Sequence, residues 1–546
     1  MVRGAHLLRA VLFLLLLVSP ALGLELRDDL GQLVRLDHPP KRIVSLAPSA
    51  TEVLFAVGAG DQVVGVTDFC NRPPEAKEKA KVGGFAKPDL EKLLRLRPDL
   101  VIAFGPLQLK IAEALRRKGV AVLWLYPRSL EEVLDSFVRI GQVTGHRQEG
   151  VWLKEVIRRR LELIERHLGG LKDVQRPDIF RVMGLDPPGT VGGRSFQSSI
   201  FRAAGGRNVF EDVPEDFFYV DLKEVLRRSP DVVLICGENP LRAKAGLEGR
   251  PGWAELQAVR QGRVLVLPCD LICRPGPRVA EAVARIASFL HPSRVFSPRR
   301  IVSLVPALTE EIYCLGEEDR LVGVTTYCRR PPKAQRKEKV GTVVEFSVEK
   351  VLQLRPEVVL ASPLASRRAM ERLRHLGVWV ELFPTPKTFE DLCSNFLQLA
   401  ALLGAEQKAL EVLRGVKGKM ERLGLRARGG RPRVFIQIGA NPLFAAGKDS
   451  IISEAVRLAG GRNIVEGKTS PYSREAVIRA DPDVILIVTM GVVGERERQA
   501  WSKFRGMKAV REGRIYIVDS YLFCSPTPFS FVEAVGQLVR LLHGQG

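Results

Sequence analysis

The sequence predicts an α/β protein of two tandem domains, each with two α/β lobes joined by a long helix. Three observations support this prediction. Motifs recur in the same order in the two halves of the 546 residues. Short β-branched runs alternate with amphipathic helical stretches in each half, and one long helical region separates two such sets. At 46% hydrophobic residues, a chain of this length is long enough for several domains.

The internal repeat is the decisive feature. The segment RIVSLAP at 42–48 returns as RIVSLVP at 300–306, and the segment VGVT occurs once in each half. Further pairs of matching segments follow, and the distance between the two members of a pair changes only through small loop deletions. A period of this length indicates the duplication of a whole domain, because solenoid repeats run to roughly 20–50 residues. The first domain is therefore predicted at about 24–296 and the second at 297–546.

Within the first domain, the alternation predicts two parallel sheets with helices on both faces. The first lobe covers about 41–128 and the second about 176–291. Strands are predicted at 43–46, 63–66, 100–104, 120–125, 179–183, 232–235 and 264–267. Helices are predicted at 51–57, 90–95 and 111–118, and further helices begin near Ser198 and Leu222.

A long helix is predicted between the lobes. Ser129 and Glu132 form a capping box after Pro127, and the helical pattern continues to Leu168. The linking helix of the first domain is thus 129–168. In the second domain, the lobes are predicted at about 299–386 and 431–543, the linking helix at 388–423, and second-lobe strands at 433–438, 484–488 and 515–518.

The first residues have the pattern of a secretory signal peptide. Arg3 and Arg9 precede an apolar run at 10–18, and small residues follow, so cleavage is expected after Gly23. The run is shorter than the roughly 20 residues that a spanning helix needs. No cysteine follows it to carry a lipid anchor. We expect a periplasmic or otherwise extracytoplasmic protein that is soluble after cleavage and is not an integral membrane protein.

The net charge of +21 would suit nucleic acid only if the basic residues formed a patch. They are instead dispersed among Leu, Val and Glu, as on solvated helix faces. We therefore predict no nucleic-acid partner.

Several segments resemble a known family. RIVSLAPSATE at 42–52, VGVTDFCNRPPEAK at 64–77, KVGGF at 81–85, LEKLLRLRPDLVIA at 90–103 and RVFIQIGANPLFAAGKDSI at 433–451 are similar to periplasmic substrate-binding proteins of ABC importers. The similarity is greatest to the cobalamin binders of the group that also takes ferric siderophores and haem. It covers nearly all of both halves, so the chain resembles a tandem duplication of such a protein.

The resemblance implies a non-enzymatic protein that holds one ligand between two rigid lobes and delivers it to the permease subunits of an importer. The expected ligand is cobalamin or a related corrinoid, and no cofactor beyond a transported metal chelate is expected. A ferric-siderophore or haem carrier is the alternative. A thiol-based redox or metal-transfer enzyme is a third possibility, against which the lack of a C-x-x-C motif and of acid/base clusters argues.

The resemblance, together with the rule that ligands lie beyond the carboxyl ends of parallel strands, places the cleft on particular loops. Aromatic rings there suit a large, flat and mostly apolar macrocycle. Phe444 fits the family pattern at a position where the first half has Gly189, so the two clefts should differ. The candidate ligand-binding residues are Phe69, Phe85, Phe104, Asp270 and Arg274 in the first half and Tyr327, Phe444 and Tyr521 in the second.

Docking in this family uses one glutamate on each lobe, which meets arginines of the transporter. Glu91 and Glu349 match the first-lobe position, and Glu475 matches the second-lobe position in the second half. The first half has Lys223 there, with Glu224 next to it. A reversed charge should oppose docking. We therefore expect that the second half docks.

The eight cysteines include two pairs at repeat-equivalent positions on predicted cleft loops, Cys70 with Cys273 and Cys328 with Cys524. An exported protein can form disulfides, so these pairs are candidate disulfides. Thiolate ligation of a metal in the cleft is the alternative. No histidine or acid clusters nearby, so no metal site is predicted. The remaining cysteines are expected to pack as small apolar residues: Cys236, Cys269, Cys314 and Cys393.

Overall fold

A computed structural model describes residues 24–237, 240–294, 297–426, 430–489 and 493–544. The chain divides into two compact units, Met1–Phe296 and Ser297–Gly546. The predicted signal peptide, residues 1–23, lies outside the described residues. None of the helices in the described part of the chain has the length and hydropathy of a membrane span.

The first lobe of the first unit is a parallel five-stranded sheet. Its strands lie in the spatial order Ala80–Lys81, Val63–Val66, Ile43–Ser45, Leu100–Phe104 and Ala121–Leu125. Its helices are Pro48–Ala56, Leu90–Arg95 and Leu109–Arg117. The continuous β-branched runs predicted as strands are mostly buried because helices cover the sheet. An antiparallel hairpin, Leu24–Arg27 with Leu33–Leu36, precedes the lobe.

The second lobe of the first unit has a parallel four-stranded sheet and a small antiparallel one. The parallel order is Arg207–Asn208, Asp178–Val182, Val232–Cys236 and Val264–Leu267. The antiparallel order is Phe218–Tyr219, Pro188–Thr190 and Gly184–Leu185. The helices are Phe196–Ala203, Leu222–Arg228, Pro240–Glu248, Gln257–Arg260, Cys269–Ile272 and Val279–Leu290.

The second unit repeats this plan. Its first-lobe strands lie in the order Glu338–Lys339, Leu321–Val324, Ile301–Ser303, Val358–Ala361 and Trp379–Leu382, with helices Pro306–Cys314, Val348–Gln353 and Arg367–His375. Its second-lobe strands lie in the order Ser470–Pro471, Leu443–Ala445, Arg433–Ala440, Val484–Thr489 and Ile515–Asp519, and Arg462–Asn463 pairs with Arg433–Ala440. The second-lobe helices are Ile451–Leu458, Arg474–Ala480, Val493–Ser502, Lys508–Arg511, Ser520–Cys524 and Pro528–His543. The predicted α/β class with parallel sheets is confirmed.

The predicted single linking helices, 129–168 and 388–423, differ from the structure. Each is a pair of helices, Leu130–Val143 with Arg147–Leu168 and Phe389–Leu403 with Glu406–Arg426. One half of the predicted capping box is present, since Ser129 accepts a hydrogen bond from the Glu132 amide, whereas the Glu132 carboxylate accepts from the Arg128 amide and not from that of Ser129. The breaks come at glycines in the left-handed region, Gly145 at φ +81° and Gly404 at φ +74°. That conformation favours glycine and ends a helix.

The two linking helices of the first unit approach each other closely through glycines. A β-carbon at Gly150 would lie 2.6 Å from the Phe137 carbonyl oxygen, and one at Gly141 would lie 3.1 Å from the Gly150 α-carbon. Backbone atoms occupy this space and cannot move as a flexible side chain would. The helix pair therefore requires both glycines.

We expect Gly150→Ala to lower the free energy of unfolding by about 1–3 kcal/mol, as overpacking does. Gly246→Ala is the matched control, because that helical glycine faces open space, and it should raise stability by up to about 1 kcal/mol. Urea unfolding followed by circular dichroism measures both. Equal effects of the two changes would show that the close crossing does not constrain the fold.

Candidate ligand-binding site

The carboxyl ends of the first-lobe strands bring two predicted residues, Phe69 and Phe104, to one edge of the sheet together with Tyr126, which was not predicted. In the first unit, Phe69 follows the strand Val63–Val66, Phe104 ends the strand Leu100–Phe104, and Tyr126 follows the strand Ala121–Leu125. Because these strands are parallel, their ends meet at the same edge, where α/β proteins bind ligands.

Gln108 holds the loops of this edge together. Its amide nitrogen donates to the carbonyl oxygens of Leu46 and Phe85, each at 2.8 Å, and its amide oxygen accepts from the Phe104 backbone N–H at 2.8 Å. The side chain is fully buried and fully engaged. Gln108 thus positions Phe85 and Phe104, although its sequence surroundings do not distinguish it from a surface glutamine.

The two lobes of the first unit meet through charged and polar contacts. Arg274 donates to Glu52 at 2.7 Å and to the Phe69 carbonyl oxygen at 3.2 Å. Arg72 pairs with Asp270. Asp270 and Arg274 are predicted ligand-binding residues, and the structure engages both in ion pairs between the lobes.

A further contact between the lobes joins Tyr126 to Asp216, with the phenol donating to the carboxylate. Burial and this hydrogen bond raise the pKa of Tyr126 to about 12. Burial also raises the pKa of Glu52, against the opposing effect of Arg274. Both groups are therefore held in a desolvated boundary between the lobes.

Aromatic rings lie beside these contacts and remain exposed. Phe69 is 60% exposed, and Phe104 packs edge-on against Tyr126 with ring centroids 6.5 Å apart. The second lobe adds Phe217, next to Asp216, and Tyr219, which are 44% and 64% exposed. Neither of these two is among the predicted residues. Exposed aromatic side chains on both lobes beside such contacts are typical of ligand sites.

The second-lobe ring comes from a different segment of the chain in each unit. Gly189 pairs with Tyr219 in the first unit, and Phe444 pairs with Pro471 at the equivalent place in the second. A β-carbon at Gly189 would lie 3.0 Å from the Phe217 ring. Phe217 therefore occupies the space over Gly189, and the aromatic surface is kept although the residue that supplies it has changed.

At the boundary between the lobes of the second unit, some buried polar atoms lack hydrogen-bond partners within the described residues. Arg330 pairs with Asp519 at 3.0 Å and stacks on the Tyr521 ring, 4.9 Å from its centroid. Glu310 stands in the position of Glu52, but Ser525 stands in that of Arg274. Within the described residues, buried oxygens of Glu310 and Tyr521 have no hydrogen-bond partner. Such atoms are available to a ligand.

The predicted disulfides are absent, and all eight cysteines are free. The Cys70 sulfur lies inside the first lobe, 3.1 Å from the Thr51 hydroxyl and 3.2 Å from that of Thr67. Cys328 is held in the same way by Thr309 and Thr325. Cys70 and Cys328 therefore do not reach their predicted partners, Cys273 and Cys524.

Cys273 instead meets two cysteines that were expected to pack as small apolar residues. The sulfurs of Cys236, Cys269 and Cys273 all lie within 4.8 Å of one another. Hydrogen bonds from the other two thiols, helped by the charge of Arg181, hold the pKa of Cys273 well below its ordinary value. The expectation for Cys236 and Cys269 is wrong because the fold brings distant strand ends together.

Comparison with known proteins identifies the fold family. The family described as periplasmic binding protein matches residues 43–271 and 301–522. The chain belongs to the periplasmic binding protein family. It contains two copies of the family's domain, and the predicted resemblance to a tandem of such proteins is confirmed. The family is non-enzymatic, in agreement with the sequence prediction.

Individual relatives of this periplasmic binding protein each correspond to about half of it. The uncharacterized ABC transporter substrate-binding lipoprotein YvrC of Bacillus subtilis is 31% identical over 48% of this chain and 84% of its own. A vitamin B12-binding protein of Vibrio cholerae is 30% identical over 46% and 90%. A solved periplasmic haem-binding protein from Pseudomonas aeruginosa is 26% identical, covers 44% of this chain and 92% of its own, and has a TM-score of 0.42.

The predicted docking glutamates of this binding protein occupy equivalent places. Glu91, Glu349 and Glu475 are each the second residue of a short helix and are exposed. In the first unit, the corresponding helix Leu222–Arg228 has the exposed Lys223 there.

The next residue in that helix is an acid, Glu224, and two arginines of the same helix engage it. It pairs with Arg227 at 2.6 Å and with Arg228 at 2.8 Å. Hydrogen bonds from the two arginines hold the pKa of Glu224 at about 2. The second lobe of the first unit therefore presents an exposed lysine at this position, with a partly buried glutamate next to it.

Next to Glu310, the second unit buries another carboxyl group. Glu311 occupies the position of Val53 and is almost completely buried. Its Oε2 has no hydrogen-bond partner within the described residues. Burial raises the pKa of Glu311 well above its ordinary value, so the folded protein retains this proton while the unfolded chain releases it.

We expect Glu311 to contribute a loss of stability as pH rises above the ordinary glutamate pKa of about 4.5, of up to about 1.4 kcal/mol per pH unit until the folded-state pKa of this group is passed. Glu311→Gln should flatten this dependence, because the neutral amide has no proton to release. The exposed Glu512→Gln is the control. Urea unfolding at pH 5 and pH 8 measures the slope, and an unchanged slope in Glu311→Gln would contradict the assignment.

Proposed function

We propose that this protein is the extracytoplasmic substrate-binding protein of an ABC importer and that it carries cobalamin or a related corrinoid. The observation that carries the proposal is the set of exposed aromatic rings beside the contacts between the lobes of the first unit. The similarity to a vitamin B12-binding protein supports the same ligand class.

A corrinoid is a large, flat ring with an apolar face and an amide rim. Phe69, Phe217 and Tyr219 offer exposed rings from both lobes of the first unit, and such rings supply contact area at low entropic cost. In the second unit, the unpartnered oxygens of Glu310 and Tyr521 can accept hydrogen bonds from an amide rim, and the Tyr521 hydroxyl can also donate one to it. The two clefts differ in their rings and polar groups, so we expect different affinities.

A ferric chelate or haem is the second candidate. The exposed phenols of Tyr219 and Tyr327 favour it, because phenolate oxygen is a ligand of ferric iron. Cobalamin carries its own axial ligand and does not require a phenolate. A corrinoid would therefore contact the rings of the tyrosine side chains, whereas ferric iron would be bound by their phenolate oxygens.

Titration of the purified protein with cyanocobalamin, haemin and a ferric siderophore, followed by absorbance, tests the ligand. Cyanocobalamin should bind, and Phe217→Ala or Phe444→Ala should weaken the affinity of its own unit by at least about tenfold, since about 1.5–3 kcal/mol of apolar burial is lost. Phe289→Ala is the control, because Phe289 is an exposed ring near the carboxyl end of the helix Val279–Leu290 and takes no part in the contacts described above. Binding of haemin alone would favour the alternative.

We further propose that the second unit docks on the permease through Glu349 and Glu475. Lys223 places a positive charge where the transporter is expected to present arginines, and like charges across an interface oppose association. The first unit then serves as an additional binding unit with impaired docking.

Uptake of cyanocobalamin by cells that carry this protein and its importer tests the docking proposal. Glu475→Lys should reduce uptake at least about tenfold without changing cyanocobalamin binding, because the charge change opposes docking alone. Glu512→Lys makes the same charge change elsewhere on the same lobe and should leave uptake unchanged. Unimpaired uptake in Glu475→Lys would refute the proposed role.

A further inference from the structure

A cluster of three thiols lies at the carboxyl edge of the second-lobe sheet in the first unit. Cys236 is the last residue of its strand, and that residue pairs with Leu267 at the end of the neighbouring strand. The short helix Cys269–Ile272 follows at once and brings Cys269 and Cys273 to the same edge. The parallel register of two strands therefore assembles the cluster.

The spacing of the sulfurs matches a shared metal ion. Each sulfur lies within 4.8 Å of the other two, and the sulfurs of Cys236 and Cys273 are 3.6 Å apart. Thiolates bound tetrahedrally to zinc at about 2.3 Å lie roughly 3.8 Å from one another. Small rotations of the side chains suffice to reach that geometry.

Arg181 supplies an independent observation. Its guanidinium is 1% exposed and donates to the Gln197 side-chain oxygen, to the Val182 carbonyl oxygen and, at 2.9 and 3.3 Å, to the sulfurs of Cys236 and Cys273. Of these four acceptors, only the sulfurs can become anions. A buried guanidinium requires a compensating negative charge, and a set of metal-bound thiolates provides one.

The second unit shows that the cluster and the arginine occur together. Its equivalent residues are Ile436 for Arg181, Val488 for Cys236 and Ser520 for Cys269, while Cys524 alone is retained. The unit that lacks the extra thiols also lacks the buried positive charge. This joint difference is expected if Arg181 balances the charge of the thiolates.

We propose that Cys236, Cys269 and Cys273 bind a thiophilic metal ion, of the class of zinc, cadmium, mercury or cuprous copper, as three thiolates. Three protein ligands leave a fourth position open in a tetrahedral site. Cys269 is exposed, so solvent or a small ligand can reach the ion there. The site goes beyond the proposed binding of a metal chelate, because here the protein holds the ion directly.

Anaerobic titration of the reduced protein with cadmium, followed through the ultraviolet thiolate-to-cadmium charge-transfer band, tests the proposal. We expect one cadmium ion per chain. Cys269→Ser should weaken binding by at least about tenfold. Arg181→Gln should weaken it by roughly 10–100-fold, because this change removes the positive charge that balances the thiolates. Cys524→Ser is the matched control in the second unit and should not change the titration.

The proposal is overturned if no charge-transfer band develops, if Cys269→Ser binds as tightly as the wild type, or if Cys524→Ser reduces the stoichiometry. The test uses Cys269→Ser because Cys269 is exposed, whereas a change at the more buried Cys236 could prevent folding. A disulfide among the three cysteines in protein isolated without reductant, combined with no cadmium binding after reduction, would also overturn it. Cyanocobalamin binding is measured separately, so failure of either proposal leaves the other standing.

Discussion

The arrangement of the first unit depends on the ion pair between Glu52 and Arg274. The carboxylate is buried beside the first-lobe helix, and the arginine reaches it from the second lobe at 2.7 Å. An unpaired buried carboxylate costs several kcal/mol, so the arginine makes this contact between the lobes favourable. The same guanidinium donates to the Phe69 carbonyl oxygen and thereby fixes a loop that presents an exposed ring to the cleft. One interaction thus joins the lobes and orients part of the proposed binding surface.

The second unit keeps the carboxyl group and lacks the arginine. Glu310 and Tyr521 retain buried oxygens without hydrogen-bond partners in the described residues, and such atoms carry a desolvation cost that a suitable ligand relieves. A ligand with amide donors would regain this energy on binding, whereas in the first unit it would have to compete with Arg274. In the first unit, an arginine of the protein itself therefore satisfies the buried carboxylate at the boundary. In the second unit, the corresponding oxygen remains available to a ligand.

The sequence predicts the α/β class, the parallel sheets and the cap at Ser129 because these depend on local patterns. Other features depend on contacts between distant segments. Gly145 lies within a helical pattern, and only its left-handed conformation shows that the helix ends. Equivalence in the repeat suggested a pairing of Cys70 with Cys273, but hydroxyl groups of the first lobe surround Cys70 while Cys273 meets Cys236. The role of Phe217 depends on its packing over Gly189, which no local pattern reveals.

Differences between the copies indicate how a duplicated binding domain can diverge. The aromatic surface is conserved by exchange, since Phe217 replaces the ring that Phe444 supplies. Other residues are not shared, because Arg181 and two cysteines occur in the first unit alone, and Lys223 stands where the second unit has Glu475. A covalent link holds a second site at an effective concentration that reaches about the millimolar range for short linkers. Under the proposed function, a unit that binds without docking can therefore still supply ligand to its neighbour, which removes the constraint that would otherwise retain both docking acids.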